Sequence, residues 1–505
     1  MRQIDALIVG AGPAGMTAAR VLAERGASVL TVDQAEKPGG QLVKQIHKFF
    51  GSAEVCAGVR GIRLAERYYE ESRRAGAEYC LSTAVCAIEP AEEGGFDAVL
   101  DNGSRVRSRT VILAVGAGEN ALPFPGWTLP GVMTAGAAQT LVNCRRVAIG
   151  RHVVMVGGGN VGLIVAYQLL QAGIAVDCLI EAAPSLGGYE VHAAKLRRAG
   201  VPILTQHTIA EVRGRDGVEE VVIARVDEHF AMVPGSERVL EADTVCLAVG
   251  LSPLTGLAEL AGCEIAWDPV RRQRCIRQDN RMMTSVPGIF AAGDASGVEE
   301  ASVAIEKGAA AGLYAAARLG LMTDEAAEAE AAPHLRMIET IRRVDKTLAE
   351  LPEAAAYEGD PTRPKAVIEC RQGIPCNPCE KNCPAGAITI GDDISRRPVV
   401  DAARCIGCGR CVAMCPGQAC FMIRPAAEGR ADQSEVFFAW EYLPLPSAGD
   451  TVTACDREGR PVCRARVGSV RTIEAYDRTA VVSLIVPSAM ADEVRGLYRG
   501  KEADS

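Results

Sequence analysis

Two blocks of the same hydrophobic pattern run through the first half of the chain. Residues 4–9, IDALIV, form a run of strand length that is apolar but for Asp5. A glycine-rich turn follows, then apolar residues at helical spacing up to Arg25, then a second apolar run, ASVLTVD, that ends at Asp33. Apolar strands joined through a helix predict a parallel sheet covered on both faces. The order returns in RHVVMV, a glycine turn, NVGLIVAYQLLQ, and AVDCLIE ending at Glu181. Two more apolar strands, VILAVG at 111–116 and the one inside ADTVCLAVGLSP at 242–253, run into glycine. GIFAAGDASG at 288–297 leads into a last helical pattern, ASVAIEKGAAAGLYAAARL. Beyond residue 320 the pattern changes. DEAAEAEAA and LRMIETIRRVDKTLAEL predict a solvated helical tether over 321–362, broken by GDPTRPK. The last stretch has short alternating runs, EVFFAWEYLPLP, RPVCRARVGSV and TAVVSLIVP, punctuated by glycine and proline, and ADEVRGLY, which is expected to be a helix.

The two glycine turns carry the first chemistry. Gly10, Gly12 and Gly15, with Pro13 and Ala14 between them, stand in G-x-G-x-x-G register between a predicted strand and helix. The first glycine permits the tight turn, the second lets backbone approach a pyrophosphate, and the third lets helix and strand pack closely. The helix N-terminus offers unpaired N–H groups to the phosphates, and Asp33 stands where an acid bonds a ribose hydroxyl. In the second block Gly157, Gly159 and Gly162 are in the same register around Asn160 and Val161, and Glu181 takes the acid's place. Glu181 would accept from a ribose 2′-hydroxyl and repel a 2′-phosphate, and no arginine pair follows it before Arg197 and Arg198. That favours NAD(H) over NADP(H). A scaffold domain that has lost its nucleotide is the competing reading.

The order of fingerprint, PGGQL at 38–42, apolar strand to Gly116, and a late A-x-G-D resembles the two-dinucleotide flavoprotein reductases, the superfamily of thioredoxin and ferredoxin reductases. The resemblance implies FAD in the first site, with Gly40, Gln41 and Gly116 beside it. It implies Asp294 on the ribityl chain or pyrophosphate, Gly293 giving close backbone approach, and Gly250 closing the NAD(H) site as Gly116 closes the first. Thioredoxin reductases carry a redox C-x-x-C before the second fingerprint. Here only Cys144 stands there, expected to be a small core residue, so a dithiol–disulfide reductase is excluded. His47, beside GGQL, is expected to be a surface or helix residue.

Eight cysteines fall between 370 and 415. Cys405, Cys408, Cys411 and Cys415 followed by Pro416 make the C-x2-C-x2-C-x3-C-P run of bacterial iron–sulfur ferredoxins, and Cys376, Cys379, Cys383 and Pro384 end an earlier run in the same way. Zinc sites use pairs of cysteines rather than such quartets. The stretch resembles a two-[4Fe–4S] ferredoxin, in which the fourth cysteine of each run ligates the other cluster. Carried over, one cluster takes Cys370, Cys376, Cys379 and Cys415, the other Cys405, Cys408, Cys411 and Cys383. Cys370 departs from the pattern, with five residues before Cys376 where the family has two. Cys420 is expected in the core. The other cysteines are scattered singly, as in a reducing cytosol, and neither a signal peptide nor a membrane span is apparent, so a cytoplasmic location is expected. A net charge of −9 speaks against a nucleic-acid partner.

FPGWTLPGVMTAGAAQTLVN and GGQLVKQIHKFFGS resemble the α-type flavoprotein subunits of heteromeric amine and amino-acid dehydrogenases, the proline, opine, hydroxyproline and sarcosine group. That family implies a partner flavoprotein that oxidises the substrate, a small third subunit, and a protein that accepts or donates electrons. The organisation expected is α/β throughout the nucleotide domains, with two Rossmann-like folds of the glutathione/thioredoxin-reductase kind. FAD-binding segments are 1–120 and 251–320, an NAD(H) domain is 121–250, the linker is 321–362, an α+β two-[4Fe–4S] ferredoxin-like domain is 363–425, and a small β module is 426–505. No histidine, acid or cysteine constellation suits acid–base or nucleophilic catalysis, so no catalytic side chain is assigned and the flavin mediates. Three functions fit: an electron-transferring subunit of such a dehydrogenase, a self-contained NAD(P)H:ferredoxin-type oxidoreductase, and a cofactor-binding scaffold with an inert NAD domain.

Overall fold

The computed structural model describes residues 1–351 and 360–500 and shows a mixed α/β protein. Its chain divides into two compact units, each built from separated segments.

The first unit comprises 1–46, 59–120 and 250–343. Its sheet runs Glu78–Cys80, Val29–Val32, Arg2–Val9, Arg105–Leu113, Phe96–Leu100 and Val85–Pro90. The first four strands are parallel and the last two join antiparallel. Arg105–Leu113 changes partners along its length, with Phe96–Leu100 beside its first half and Ile289–Ala291 beside Val111–Leu113. This late strand thus reaches the centre of the sheet. Helices Pro13–Glu24 and Ala301–Arg318 pack in an alanine-rich core with Ala14, Ala18, Ala311 and Ala315 buried. They approach closely because Gly308 and Gly312 have no side chain: a Cβ on Gly308 would collide with Ala14 O, and one on Gly312 would lie 3.0 Å from Val21. Helix Asp324–Arg342 starts at Thr323, whose Oγ1 accepts from Ala326 N at 3.2 Å. It is not a solvated tether. Ala327, Ala331, Ile338 and Ile341 are buried on one face, which is enough to dock it despite the acidic run on the other. Residues 343–351 are not helical, and 352–359 of the expected linker lie outside the described residues.

The second unit comprises 47–58, 121–249 and 344–500. Its parallel sheet has the order Ile203–Thr205, Ala175–Glu181, His152–Val156, Thr244–Leu247 and Val132–Thr134. A separate seven-stranded antiparallel sheet begins with Lys365–Ile368, Cys420–Arg424 and Gln433–Trp440 and continues through Ala480–Pro487 to Pro461–Arg471, Thr451–Cys455 and Gly496–Leu497. The sheet crosses residue 425, where a boundary was expected, because the strand after Cys415 pairs on both sides of it. Ala480–Pro487 is buried for seven of its eight residues, as a central strand should be. ADEVRGLY is not a helix. Arg495 within it is buried on Glu369, at 2.6 Å, and donates to the carbonyls of Ala491 and Val494, and Gly496–Leu497 pairs as a strand. Among the described residues no helix is long and apolar enough to cross a membrane.

Candidate cofactor sites

The two glycine turns are built alike, atom for atom. A Cβ on Gly10, where φ is +106°, would collide with Ala114 O, and one on Gly157, at +108°, with Ala248 O. A Cβ on Gly15 would meet Gly10 O, and one on Gly162 would meet Gly157 O. These four are required by the fold itself. The middle glycines are not: Gly12 finds only Gly40 Cα, at 4.0 Å, and Gly159 finds nothing within 4 Å. Their bareness leaves open space at the start of helices Pro13–Glu24 and Asn160–Gln171, the cradle a pyrophosphate needs. The acids are held alike too. Asp33 accepts from Ala11 N at 2.6 Å and Ala35 N at 2.7 Å. Glu181 accepts from Gly158 N at 2.6 Å and Ala183 N at 2.8 Å. Each carboxylate is thereby pinned beside its glycine turn with lone pairs left for a ribose hydroxyl.

In the first unit Gly39 N donates to Ala11 O at 2.7 Å, so the PGGQL turn, whose Gly40–Lys44 forms a short 3-10 helix, lies against the fingerprint. Gly293, at φ +67°, comes within 2.9 Å of Ala14 Cβ if given a Cβ of its own. Asp294 is half-buried beside it. Burial raises its carboxyl to about 6, against the opposing bond from Glu299 N. Gly116 has φ +77° and open space around it, and Gly250 pairs through its carbonyl with Asn120 N at the crossover. Behind the Asp294 turn lies a partly buried ion network: Glu299 meets buried Lys307 at 2.7 Å, Arg271 at 2.8 Å and exposed Arg342 at 2.6 Å.

In the second unit a feature that no sequence motif announced repeats the first. Gly187 and Gly188 follow Glu181 by the same spacing as Gly39 and Gly40 follow Asp33. Gly188 N donates to Gly158 O at 3.0 Å and Tyr189 N to Asn160 Oδ1 at 2.8 Å. Val161 is 37% exposed at the helix start. Arg197 and Arg198 are committed elsewhere: Arg197 Nη1 to Glu190 at 2.5 Å, and half-buried Arg198 to Gln418 O at 3.1 Å and over the Phe421 ring. Two expectations fail here. His47 is buried, stacked on Phe49 and 3.3 Å from Gln168, because the short segment after GGQL tucks its aromatic residues inward. Cys144 is exposed, because its helical turn ends there and the chain bends outward at Arg145 and Arg146.

Five cysteines of the second unit, Cys370, Cys376, Cys379, Cys415 and Cys420, line one cavity with Phe50, Val191 and Ile374. The four sulfurs assigned by resemblance to one cluster thus share one space. Burial first, then the nearness of Cys415 and Cys379, raises the thiols of Cys370 and Cys376. Among the described residues no three His, Cys, Asp or Glu side chains form a group that could hold a metal ion. Cys383, Cys405 and Cys411 pack in the neighbouring core with Met422 and Val412. Cys420 is buried as expected, but it is also a cavity wall, and its hydrogen bond pulls the Cys415 thiol down. Among the described residues no cysteine is in a disulfide. The tail holds the module: Arg471 Nη1 and Tyr476 Oη donate to Cys408 O at 3.3 and 3.4 Å, and Arg457 and Arg495 both pair with Glu369.

Residues 4–308 match the family described as pyridine nucleotide-disulphide oxidoreductase, and residues 372–419 match a 4Fe-4S dicluster domain. An opine oxidase subunit from Rhizobium meliloti is 33% identical over 350 residues, 64% of this chain and 72% of that one. Hydrogen cyanide synthase subunit HcnB of Pseudomonas aeruginosa is 29% identical over 401 residues, 72% of this chain and 82% of that one. The thioredoxin reductase of T. acidophilum shares the fold with a TM-score of 0.53 and 25% identity, over 63% of this chain and 99% of that one. Matches to the opine oxidase subunits span 65% to 72% of their lengths. With the family model covering residues 4–308, the chain belongs to the pyridine nucleotide-disulphide oxidoreductase family and carries a 4Fe-4S dicluster domain.

Proposed function

We propose that the chain is the electron-transferring subunit of a heteromeric amine or amino-acid dehydrogenase, moving electrons between NAD(H), FAD and two [4Fe–4S] clusters. The observation that carries the reading is the combination in one polypeptide of two matching, ligand-ready glycine cradles and eight cysteines. Gly10, Gly12, Gly15 and Asp33, with Gly40, Gln41, Gly116, Gly293 and Asp294, would hold FAD. Gly157, Gly159, Gly162 and Glu181, with Asn160 and Val161, would hold NAD(H). FAD, when bound, exchanges electron pairs with nicotinamide and single electrons with iron–sulfur centres, so the chain need supply only position and electrostatics. NAD(H) is favoured over NADP(H) because Glu181 faces the turn while Arg197 and Arg198 are tied to Glu190 and Gln418. The absence of a redox dithiol at the second fingerprint leaves the clusters as the electron outlet. The relatives are named as subunits, which supports a separate substrate-oxidising partner, and the single scattered cysteines support a cytoplasmic setting.

The test is anaerobic purification, alone and with tagged partners, followed by flavin and iron analysis and NADH titration. One flavin and about eight irons per chain, bleaching by NADH, and a co-purifying flavoprotein are expected. A chain holding neither flavin nor iron refutes the reading. NADH that leaves the flavin oxidised refutes the NAD(H) assignment alone.

A further inference from the structure

The loop Cys405–Cys411 presents an unusual surface. Ile406, between two of the candidate ligands, is 57% exposed. Arg404 and Arg410 flank the loop; both are exposed and neither is in a salt bridge among the described residues. Val399 and Ile473, in the strand before the loop and just beyond the Arg471 that braces it, are exposed as well. From 396 to 410 the chain has four arginines against one acid, Asp401, giving this stretch a charge of +3 on a protein of −9. The Asp401 carboxylate is already taken up by Ala403 N and Arg404 N, at 2.9 and 3.2 Å. The neighbouring stretch 471–478 is neutral, with two arginines against Glu474 and Asp477.

The loop is also held firmly. Lys365 Nζ donates to Ala402 O at 2.8 Å and Cys405 O at 3.3 Å, and Arg471 and Tyr476 hold Cys408 O from the other side. A braced loop with an apolar tip and a rim of unpaired cations has the make-up of a small, transient electron-transfer contact. Such contacts gain their speed from complementary charge rather than from area. By contrast, the cavity walled by Cys370, Cys376, Cys379 and Cys415 is lined by the buried side chains of Phe50, Val191 and Ile374.

Building on the function proposed above, we infer that the Cys405–Cys411 face docks an acidic one-electron redox protein, with Ile406 at its centre and Arg404 and Arg410 steering the approach. One electron leaves the chain for each one-electron centre reduced on the partner, or enters by the reverse exchange.

The test uses the full chain, purified anaerobically with its iron. Oxidised flavodoxin serves as the acidic probe and cytochrome c as the basic one. Binding is read by biolayer interferometry from about 20 to about 300 mM NaCl, a range over which the Debye length falls severalfold. Electron transfer from the dithionite-reduced chain is read by stopped flow. Flavodoxin is expected to bind more tightly than cytochrome c at low salt and to lose at least about tenfold in affinity across the range. The double variant Arg404→Glu/Arg410→Glu should lose at least about tenfold for flavodoxin and gain for cytochrome c. Its iron content and EPR spectrum should be unchanged. If that variant fails to load iron, Arg404→Gln/Arg410→Gln and the salt series on the unaltered chain answer the same question. Equal binding of both probes, indifference to salt, or indifference to charge removal would overturn the inference. So would a salt-sensitive homodimer that the same reversal dissolves, since the face would then belong to a second copy. A chain without iron fails earlier, at the iron analysis, and sinks the function on which this rests.

Discussion

Replacing Gly159 with alanine separates what the fold needs from what a ligand needs. Gly159 has φ −75° and ψ 174°, a conformation open to any residue, and a Cβ there meets no protein atom within 4 Å. It sits at the N-cap of helix Asn160–Gln171 and makes no side-chain cap bond, so the cost to stability is that of alanine at a cap, about 1 kcal/mol or less. Gly162→Ala, three residues on, is a different event. Its Cβ would collide with Gly157 O and lie 3.1 Å from Ala248 Cβ. Backbone atoms of a strand end cannot retreat as a flexible side chain can, and overpacking of this kind costs about 2–3 kcal/mol. For a unit of this size that means a melting temperature lower by roughly 3–5 °C, against about 2 °C or less for Gly159→Ala. Binding should rank the other way among folded proteins. The Gly159→Ala methyl fills the open approach to the helix N-terminus and should weaken NADH by at least about tenfold, or about 1.4 kcal/mol. The assay pairs differential scanning fluorimetry with NADH titration followed by flavin absorbance. Unchanged NADH affinity in a well-folded Gly159→Ala protein would refute the assignment of this cradle. A loss of stability equal to that of Gly162→Ala would refute the steric argument.

Cys370→Ala should lower iron from about eight to about four per chain, with the EPR signal of the remaining cluster retained; a full complement would remove Cys370 from the ligand set. Burial by itself would raise the Glu299 carboxyl, but its ion pairs with Arg342 and Lys307 win and bring it down to about 2. A depressed carboxylate stabilises the fold above its ordinary value of 4.5 and loses that contribution as pH falls from 4.5 toward 2. Glu299→Gln should therefore flatten the acid limb of the stability curve over that window. At neutral pH it should cost roughly 3 kcal/mol, read by chemical denaturation at several pH values; an unchanged acid limb would count against the network. Tyr167→Phe removes the 2.6 Å bond to Gln418 Nε2 inside the second unit and should cost about 1–3 kcal/mol, seen in the same melts, with iron content retained.

The nucleotide cradles were legible in the sequence because their chemistry is local. Gly15 and Gly162 answer to the carbonyl five residues before them, and each acid accepts from its own turn and from the residue two beyond itself; only Gly10 and Gly157 answer to distant backbone, Ala114 O and Ala248 O, each just past the end of another strand. The tail was not legible, because alternation in a strand says which face is buried but not which strand lies beside it. Ala480–Pro487 takes Gln433–Trp440 and Pro461–Arg471 as neighbours, so what reads as an appendage completes the sheet whose strands Lys365–Ile368 and Cys420–Arg424 flank the eight-cysteine stretch. His47 and Cys144 were misread for a related reason: single residues in short connections have no periodicity to report their burial.

Cys370 shows how a departure from a motif becomes intelligible once its surroundings are known. The extra residues before Cys376 each have a structural use. Arg371 Nε donates to Ala349 O at 2.6 Å, and Gln372 accepts from Glu190 N at 2.7 Å and donates to Lys346 O at 3.3 Å. Gly373 N donates to Asp345 O at 3.1 Å, and Ile374 is 3% exposed. The longer loop grips the segment before it and the helix Glu190–Arg198, which a two-residue spacing could not reach. It still returns Cys370 to the wall of the cavity shared with Cys376, Cys379 and Cys415. The dicluster match begins at 372, after this cysteine, because the motif is defined by spacing, whereas a thiolate cage depends only on where the sulfurs end up.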